Sequence, residues 1–267
     1  MKKHPVAPYQ SIRASADPGS DIPLRALMFN VRMPERAFYY GPTAAAVHGL
    51  PLPVRFSDET LLHVGVAAGA RRLDALGIVP HHVRITSADL VTIRDVRATS
   101  IERTWCDLAT CGLTVAELVA AGDRALWHRD PRTTRPDLSA AVARYEGRRG
   151  SRLMRTALML LTDASDSAPE SELRVAIIEA GFAAPEVNIP VHVGGAVIHP
   201  DLSWPSRRVA IEYEGDHHRT DRDQWNSDIR RQTMLNEAGW SVYRATAEDY
   251  RSAHRLLLWL ARRLQIA

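Results

Sequence analysis

The chain has 267 residues, of which 45% are hydrophobic and 24% charged, a composition typical of a globular protein and unlike that of disordered or fibrous chains. No apolar stretch reaches the roughly 20 residues that a transmembrane helix needs. Residues 1–5 lead into polar sequence, unlike a signal peptide, so we expect a cytoplasmic protein. The formal net charge of +3 permits nucleic-acid binding without arguing for it. Lysine occurs only at Lys2 and Lys3, which excludes a catalytic lysine beyond residue 3.

Two segments precede the most informative part of the chain. The first 25 residues are rich in Pro, Ser, Asp and Arg and lack apolar periodicity, and we predict an irregular lead-in over residues 1–40. Residues 41–163 predict a mixed α+β domain. Its expected elements are a short helix over 42–49, strands over 61–67 and 82–86, and helices over 99–110, 115–127, 138–145 and 151–161. The two cysteines, Cys106 and Cys111, lack the spacing of a zinc site, and we interpret them as core residues.

A polar segment of small residues over 162–169 marks a domain boundary, and residues 168–267 predict a second domain of the α/β class. The expected elements are a helix over 169–180, strands over 187–193, 197–204 and 208–215, a helix over 221–238, a strand over 240–244 and a final helix. Thr246 and Asp249 form a capping-box pattern at the start of that last helix. The order of elements is therefore αβββαβ, followed by a helix.

The second and third predicted strands of this domain form a hairpin around residues 205–207. Since side chains alternate along a strand, one face of the hairpin is apolar and the other is acidic. The apolar face carries Leu202, Trp204, Val209, Ile211 and Tyr213, and the other face carries Asp201, Ser203, Ala210, Glu212 and Glu214. This register places Asp201 opposite or diagonal to Glu212, with Cβ atoms roughly 5–8 Å apart.

Three carboxylates on one small patch repel one another, and the hairpin contains no lysine to neutralise them. A hard divalent cation relieves this repulsion, and Mg²⁺ binds one or two carboxylates together with substrate phosphate. Such an ion polarises a phosphoryl oxygen and lowers the pKa of an attacking water. The acidic face therefore predicts a site for Mg²⁺, or for Mn²⁺ in its place, suited to phosphodiester hydrolysis.

Residues 168–267 carry an ordered set of chemically informative positions. They are Glu170 on the first helix, Asp201 on the hairpin, Glu212-Tyr213-Glu214-Gly215 with His217 and His218 after it, and Asp228, Arg231, Leu235 and Gly239 on the next helix. This order resembles the PD-(D/E)XK nuclease superfamily, in the branch of very-short-patch-repair endonucleases. The resemblance implies a restriction-endonuclease-like fold, DNA as the substrate and a divalent metal ion as the cofactor.

The resemblance also implies roles for single residues. Asp201 and Glu212 would ligate the metal, and Glu170 or Glu214 would complete its coordination shell. The chain departs from the family at Glu214, which stands where the family has its lysine. Arginine cannot act as a base because its guanidinium stays protonated. Histidine is the side chain that ordinarily changes charge near neutral pH, and His218 is the expected general base.

These residues also have structural interpretations. Glu170 completes an S-x-x-E capping box with Ser167, and the acidic hairpin face could be a solvated surface. Asp228 and Arg231 lie three residues apart on one helical face, so they could form an intrahelical ion pair or position substrate. His217 could contact phosphate.

The first domain has a resemblance of its own. Residues 41–53, with residues 99–108, look like the middle region of abortive-infection antitoxin-like proteins, which in actinobacteria often precedes a nuclease-like domain. Candidates for base stacking and phosphate contact are Tyr39, Tyr40, Arg32, Arg36, Arg71 and Arg72. Residues 1–167 contain 22 basic and 17 acidic residues, against 12 and 14 in residues 168–267. We therefore expect the first domain to help hold DNA while the second cuts it.

The leading prediction is a Mg²⁺-dependent DNA endonuclease that acts in DNA repair or in defence against foreign DNA. The alternative is a DNA-binding or antitoxin-like regulator that keeps the nuclease fold without catalysis, which the missing lysine favours. A third interpretation is an interaction module that neutralises a toxin-like protein partner. Cleavage of both strands by one site per chain would require a homodimer or two successive nicks.

Overall fold

The computed structural model describes residues 6–9, 12–14, 19–57, 61–71, 73, 75–214 and 222–264. The chain divides into two compact units, the first comprising Met1–Leu126 and Asp130–Met159 and the second Trp127–Arg129 and Leu160–Ala267. Each unit combines helices with a sheet that contains both parallel and antiparallel pairs, which confirms the predicted mixed α and β class. No helix in the described ranges is long and apolar enough to cross a membrane.

The first unit is built on a five-stranded sheet and also contains a separate pair of strands. The strands of the unit are β1 (Val6–Tyr9), β2 (Ile12–Ala14), β3 (Ala37–Tyr39), β4 (Leu62–Ala67), β5 (Ile78–Val83), β6 (Leu90–Ile93) and β7 (Val96–Thr99). Its helices are α1 (Ile22–Asn30), α2 (Gly41–Val47), α3 (Val54–Ser57), α4 (Ile101–Leu108), α5 (Val115–Leu126), α6 (Arg135–Ala143) and α7 (Ser151–Leu160). β1 and β2 form a separate pair, and the other strands form the sheet in the order β5-β4-β3-β7-β6.

The prediction of an irregular lead-in over residues 1–40 is wrong. Asp21 caps α1, and Ala26 and Phe29, three residues apart, pack into the core of the unit. β3 lies in the middle of the sheet. Tyr39 on this strand is completely buried, and its hydroxyl donates to the carbonyl of Ala26 at 2.5 Å. The tyrosine that we expected to stack on nucleic-acid bases is therefore a core residue.

The second unit holds a four-stranded sheet and a separate hairpin. Its elements are α8 (Ala168–Glu179), β8 (Glu186–Val187), β9 (Val191–Val193), β10 (Ala196–Ile198), β11 (Leu202–Trp204), β12 (Val209–Tyr213), α9 (Arg222–Glu237), β13 (Ser241–Ala245), α10 (Ala247–Arg251) and α11 (His254–Leu264). The sheet order is β13-β12-β11-β8, and β9 pairs with β10 alone. β13 runs parallel to β12, and α9 connects the two strands.

Two predicted strands are each divided in the structure. Residues 187–193 contribute to β8 and β9, and residues 197–204 form β10 and β11, in different sheets. Asn188 has a φ of 50°, outside the extended region. Pro190 and Pro200 lack the backbone N–H that a continuous ladder needs. The chain therefore leaves the main sheet after β8 and returns to it at β11.

The central strands of this unit are covered on both faces. The apolar face carries Leu202, Trp204, Val209 and Ile211, which pack against Leu173 and Ile177 of α8 and Leu256, Leu260 and Leu264 of α11. This confirms the predicted alternation. On the opposite face Ser203 and Ala210 are completely buried, so the middle of the hairpin is not a solvated surface. Val242, the register partner of Ala210, packs with Leu235 of α9 in a second cluster.

Candidate functional site

Asp201 and Glu212 lie at the same end of the β11–β12 pair. The antiparallel register pairs Leu202 with Ile211, so Asp201 precedes this pair and Glu212 follows it on the neighbouring strand. One carboxylate oxygen of Asp201 accepts the backbone N–H of Tyr213 at 2.6 Å. The register therefore places these two acidic residues as the alternation predicted.

Glu170 reaches the same place from the first turn of α8. Its carboxylate accepts the hydroxyl of Ser167 at 2.7 Å and the backbone N–H of Asp166 at 3.0 Å. The Ser167 hydroxyl in turn accepts the backbone N–H of Glu170 at 3.4 Å. Glu170 therefore does close the helix N-terminus, as its structural interpretation predicted. Only 7% of the residue is exposed, so this charge lies inside the unit.

Glu170 and Glu212 influence the ionisation of Asp201. Burial, followed by the charges of Glu170 and Glu212, raises the pKa of Asp201 to about 8, although the hydrogen bond from the N–H of Tyr213 acts in the opposite direction. Burial also raises the pKa of Glu170, against the stabilising hydrogen bonds from Ser167 and Asp166. The charges of Glu170 and Glu212 thus disfavour the charged form of Asp201. A positive charge placed among them would relieve this conflict.

Arg231 of α9 supplies part of that charge. One terminal nitrogen, Nη2, lies 3.2 Å from Glu212 Oε1 and 3.2 Å from the carbonyl oxygen of His199. Arg231 was expected to pair with Asp228 on the same helix or to position substrate. In the structure it reaches across to Glu212 on β12. The side chain of Asp228 lies outside the described residues.

The other predicted site residues lie beyond Glu212. Glu214 forms an ion pair with Arg244 of β13, with 2.9 Å between Oε1 and Nη2. Its backbone N–H donates to the carbonyl of Ala245 at 2.7 Å, which extends the ladder past the end of β12. His217 and His218 lie outside the described residues.

A cleft of about 550 Å³ opens beside Asp201. Its lining includes His128, Arg129, Asp166, His199, Asp201 and Arg231. The first four of these residues were not among the predicted site residues. The sequence could have indicated His199 as a site residue, because it lies two residues before Asp201. His128 and Arg129 follow α5, and no sequence motif links them to the hairpin.

The donor set fits a hard divalent cation in chemical type, because carboxylate oxygens are its preferred ligands. Within the described part of the chain, however, no three His, Cys, Asp or Glu side chains are arranged so that they could hold a metal ion. Glu170 is engaged in its cap and Glu212 in its pair with Arg231. The case for a divalent cation at this site therefore rests on the chemical type and the charge of the donors, among which Asp201 is the central residue.

The residues predicted to bind nucleic acid in the first unit differ in their exposure, and Arg72 lies outside the described residues. Tyr39 is in the core, whereas Arg36 and Arg71 are exposed. Tyr40 packs on His81, with ring centroids 4.7 Å apart. His81 Nε2 lies 3.0 Å from Nδ1 of His63, and burial followed by the charge of His63 lowers the pKa of His81 to about 4.

Neither a protein-family model nor a solved structure matches the chain. Two proteins of Mycobacterium tuberculosis do: the uncharacterized protein MT2308 of strain CDC 1551 / Oshkosh and the uncharacterized protein Rv2248 of strain H37Rv. Each is 30% identical to this chain over 227 residues, which cover 84% of this chain and 80% of the mycobacterial protein. The chain therefore belongs to the same protein family as these two mycobacterial proteins.

Proposed function

We propose that the protein is a divalent-metal-dependent DNA endonuclease and that its second unit is a restriction-endonuclease-like domain, in which α8, β8, β11, β12, α9 and β13 correspond to the order αβββαβ. The observation that carries the proposal is the convergence of Glu170, Asp201 and Glu212 from one helix and two neighbouring strand ends. The raised pKa of Asp201 reflects burial and the crowding of negative charge around it. Such a centre favours a cation, and it opens onto a cleft that also carries basic side chains.

Mg²⁺ or Mn²⁺ suits this centre. Because Mg²⁺ keeps several waters, it needs only one or two carboxylates from the protein. Asp201 and Glu212 would hold the ion, and Glu170 or Glu214 would complete its shell. The ion supplies polarisation of a phosphoryl oxygen and activation of a water.

The side chains around this centre would position the substrate and move the proton. Arg231 of α9 places its guanidinium in the lining of the cleft, and this group can donate hydrogen bonds to a phosphate oxygen. Asp228 precedes it by one helical turn. His218, which follows β12 in the sequence, is the proposed acceptor of the water's proton, and His217 a proposed phosphate contact.

A second candidate is a DNA-binding or antitoxin-like regulator without catalysis. Two observations favour it. Glu170 and Glu212 already have partners in their helix cap and in Arg231. In addition, no lysine follows Lys3.

The experiment that decides between them combines calorimetric Mg²⁺ titration with plasmid nicking for the wild type and Asp201→Asn. Glu248→Gln is the matched control, since it removes an exposed acidic charge from the same unit. Nicking that requires Mg²⁺, disappears in Asp201→Asn and persists in Glu248→Gln supports the endonuclease. Nicking that persists in Asp201→Asn contradicts the assignment, and a wild type that neither binds metal nor nicks favours the regulator.

A further inference from the structure

The cleft beside Asp201 is lined by basic groups that do not belong to the carboxylate cluster formed by Glu170, Asp201 and Glu212. His128 and Arg129 line it together with His199 and Arg231. The first two belong to the segment Trp127–Arg129, which packs with the second unit although the residues on either side of it belong to the first. The chain thus delivers an indole, an imidazole and a guanidinium to the second unit in three consecutive residues.

Asp166 fixes this segment to the carboxylate cluster. Its Oδ1 accepts the indole N–H of Trp127 at 2.8 Å, and its Oδ2 accepts a guanidinium N–H of Arg129 at 3.3 Å. The backbone N–H of the same aspartate donates to Glu170. One residue therefore sets the spacing between the basic edge of the cleft and its acidic end.

Arg129 has the features of a phosphate contact. Its side chain is 61% exposed, and its guanidinium carbon lies 5.5 Å from the centroid of the Trp127 ring. A guanidinium carries five N–H donors, so the bond to Asp166 uses only part of its capacity. Because the ring and the carboxylate already orient the guanidinium, binding a phosphate costs less conformational entropy than it would with an unrestrained arginine.

His128 is held in one tautomer. Its backbone N–H and its Nδ1 each lie 3.0 Å from the carbonyl oxygen of Asp163. Since a carbonyl oxygen only accepts, Nδ1 carries the hydrogen, and Nε2 is the ring atom that can meet a ligand. The ring of His199 is held in the same way, with Nδ1 3.0 Å from the carbonyl oxygen of Asn188. Two oriented imidazoles thus line one cleft.

We infer that this edge of the cleft binds the phosphodiester backbone of DNA, with Arg129 and His128 contacting phosphates next to the bond that lies at Asp201. The inference rests on the proposed endonuclease function and names the segment that holds its substrate. An acidic centre by itself repels a strand that carries one negative charge per phosphate. Backbone contacts from arginine and histidine offset this repulsion and fix the strand's position without reading its sequence.

The test is DNA binding in EDTA, where no cleavage interferes. The affinity for a fluorescent duplex is measured over a range of salt concentrations for the wild type, Arg129→Gln and His128→Gln. Arg262→Gln is the matched control, because Arg262 is an exposed arginine on α11 of the same unit. Loss of one phosphate contact lowers the slope of log affinity against log salt by about 0.9, which weakens binding about fivefold at about 0.15 M salt. We expect this loss for Arg129→Gln, a smaller one for His128→Gln and none for the control.

Equal affinity and slope for the wild type and Arg129→Gln would overturn the inference, as would tighter binding of RNA than of DNA. A purely structural segment would instead lower the melting temperature of Arg129→Gln and leave DNA affinity unchanged, which also overturns it. The binding measurement and the nicking assay can contradict the two proposals independently. Binding that depends on Arg129 without any nicking would contradict only the endonuclease, whereas nicking with unchanged binding by Arg129→Gln would contradict only the DNA contact.

Discussion

A single nitrogen of Arg231 bonds both Glu212 on β12 and the carbonyl of His199 before β11, each at 3.2 Å. Only 18% of the Glu212 side chain is exposed, so this carboxylate depends on the protein for its partners. The contact ties α9 to the end of the hairpin. It also compensates part of the negative charge around Asp201.

Replacing Arg231 by methionine keeps the helix and removes the charge. We expect a loss of about 1–3 kcal/mol in the free energy of unfolding, because the largely buried Glu212 then loses its hydrogen bond and ion pair with Arg231. Urea denaturation measures this loss. Arg230→Met is the control, since Arg230 is the exposed neighbour on the same helix. Equal stability of the two variants would contradict the importance of the pair.

Asp201→Asn has the opposite expected effect on stability. The change replaces a carboxyl group, whose ionisation is opposed by burial and by its acidic neighbours, with a neutral amide of the same shape. The melting temperature in EDTA should therefore rise by about 2–4 °C for each kcal/mol of this relieved penalty. Added Mg²⁺ should then stabilise the wild type and not the variant. Differential scanning fluorimetry measures both.

Asp249→Asn provides the contrast for that experiment. The carboxylate of Asp249 accepts hydrogen bonds from Tyr243 and Thr246, and its pKa is lowered. The same substitution should therefore destabilise the protein at this position. A fall in melting temperature for Asp201→Asn as well would mean that the charge of Asp201 is fully compensated.

Tyr145 holds a buried carboxylate in the first unit. Its hydroxyl donates to Asp107 Oδ1 at 2.9 Å, and within the described part of the chain the other oxygen, Oδ2, has no hydrogen-bond partner. We expect Tyr145→Phe to cost about 1–3 kcal/mol in denaturant unfolding. Tyr250→Phe removes a hydroxyl that bonds Glu172 at the surface, and it should cost much less. Similar losses in both variants would count against the buried bond.

His81 should make the protein sensitive to mild acid. Its pKa in the folded chain, about 4, lies below the ordinary value of 6.5, so the folded chain binds the proton less tightly than the unfolded chain. Stability therefore falls as the pH drops from 6.5 towards 4. For this partly exposed ring we expect a loss on the order of 1 kcal/mol by pH 5.

His81→Gln should flatten this pH dependence, and His82→Gln, at the exposed neighbour, should leave it unchanged. Urea denaturation at pH 7 and pH 5 measures both. If the free energy of unfolding of His81→Gln fell between pH 7 and pH 5 as much as that of the wild type, other groups would cause the acid sensitivity.

The hairpin of the candidate site was predictable because its register is local. The turn at residues 205–207 is short, and strict alternation then decides which residues face Asp201. The cap by Glu170 was predictable for the same reason, since Ser167 lies three residues away. The wider fold was less accessible. The helix α1 was missed because the segment before it is polar, although Ile22, Ala26 and Phe29 themselves follow the spacing of a buried helical face.

The basic side of the cleft could not be predicted, because it depends on contacts between distant parts of the chain. Nothing near Trp127 indicates that its indole bonds Asp166, which lies 39 residues further on. The division of the predicted strands was partly encoded, since Pro190 and Pro200 lie where the ladder ends. The positive φ of Asn188 was not, although asparagine tolerates that conformation better than most residues.

The path of the chain through residues 127–129 means that one cut cannot separate the two units. A fragment that starts at Leu160 would contain all four strands of its main sheet, yet it would lack His128 and Arg129 and would leave Asp166 without two of its donors. A fragment that ends at Met159 would carry those side chains away from the site that they line. Limited proteolysis between the units would therefore yield pieces of which neither holds the whole cleft.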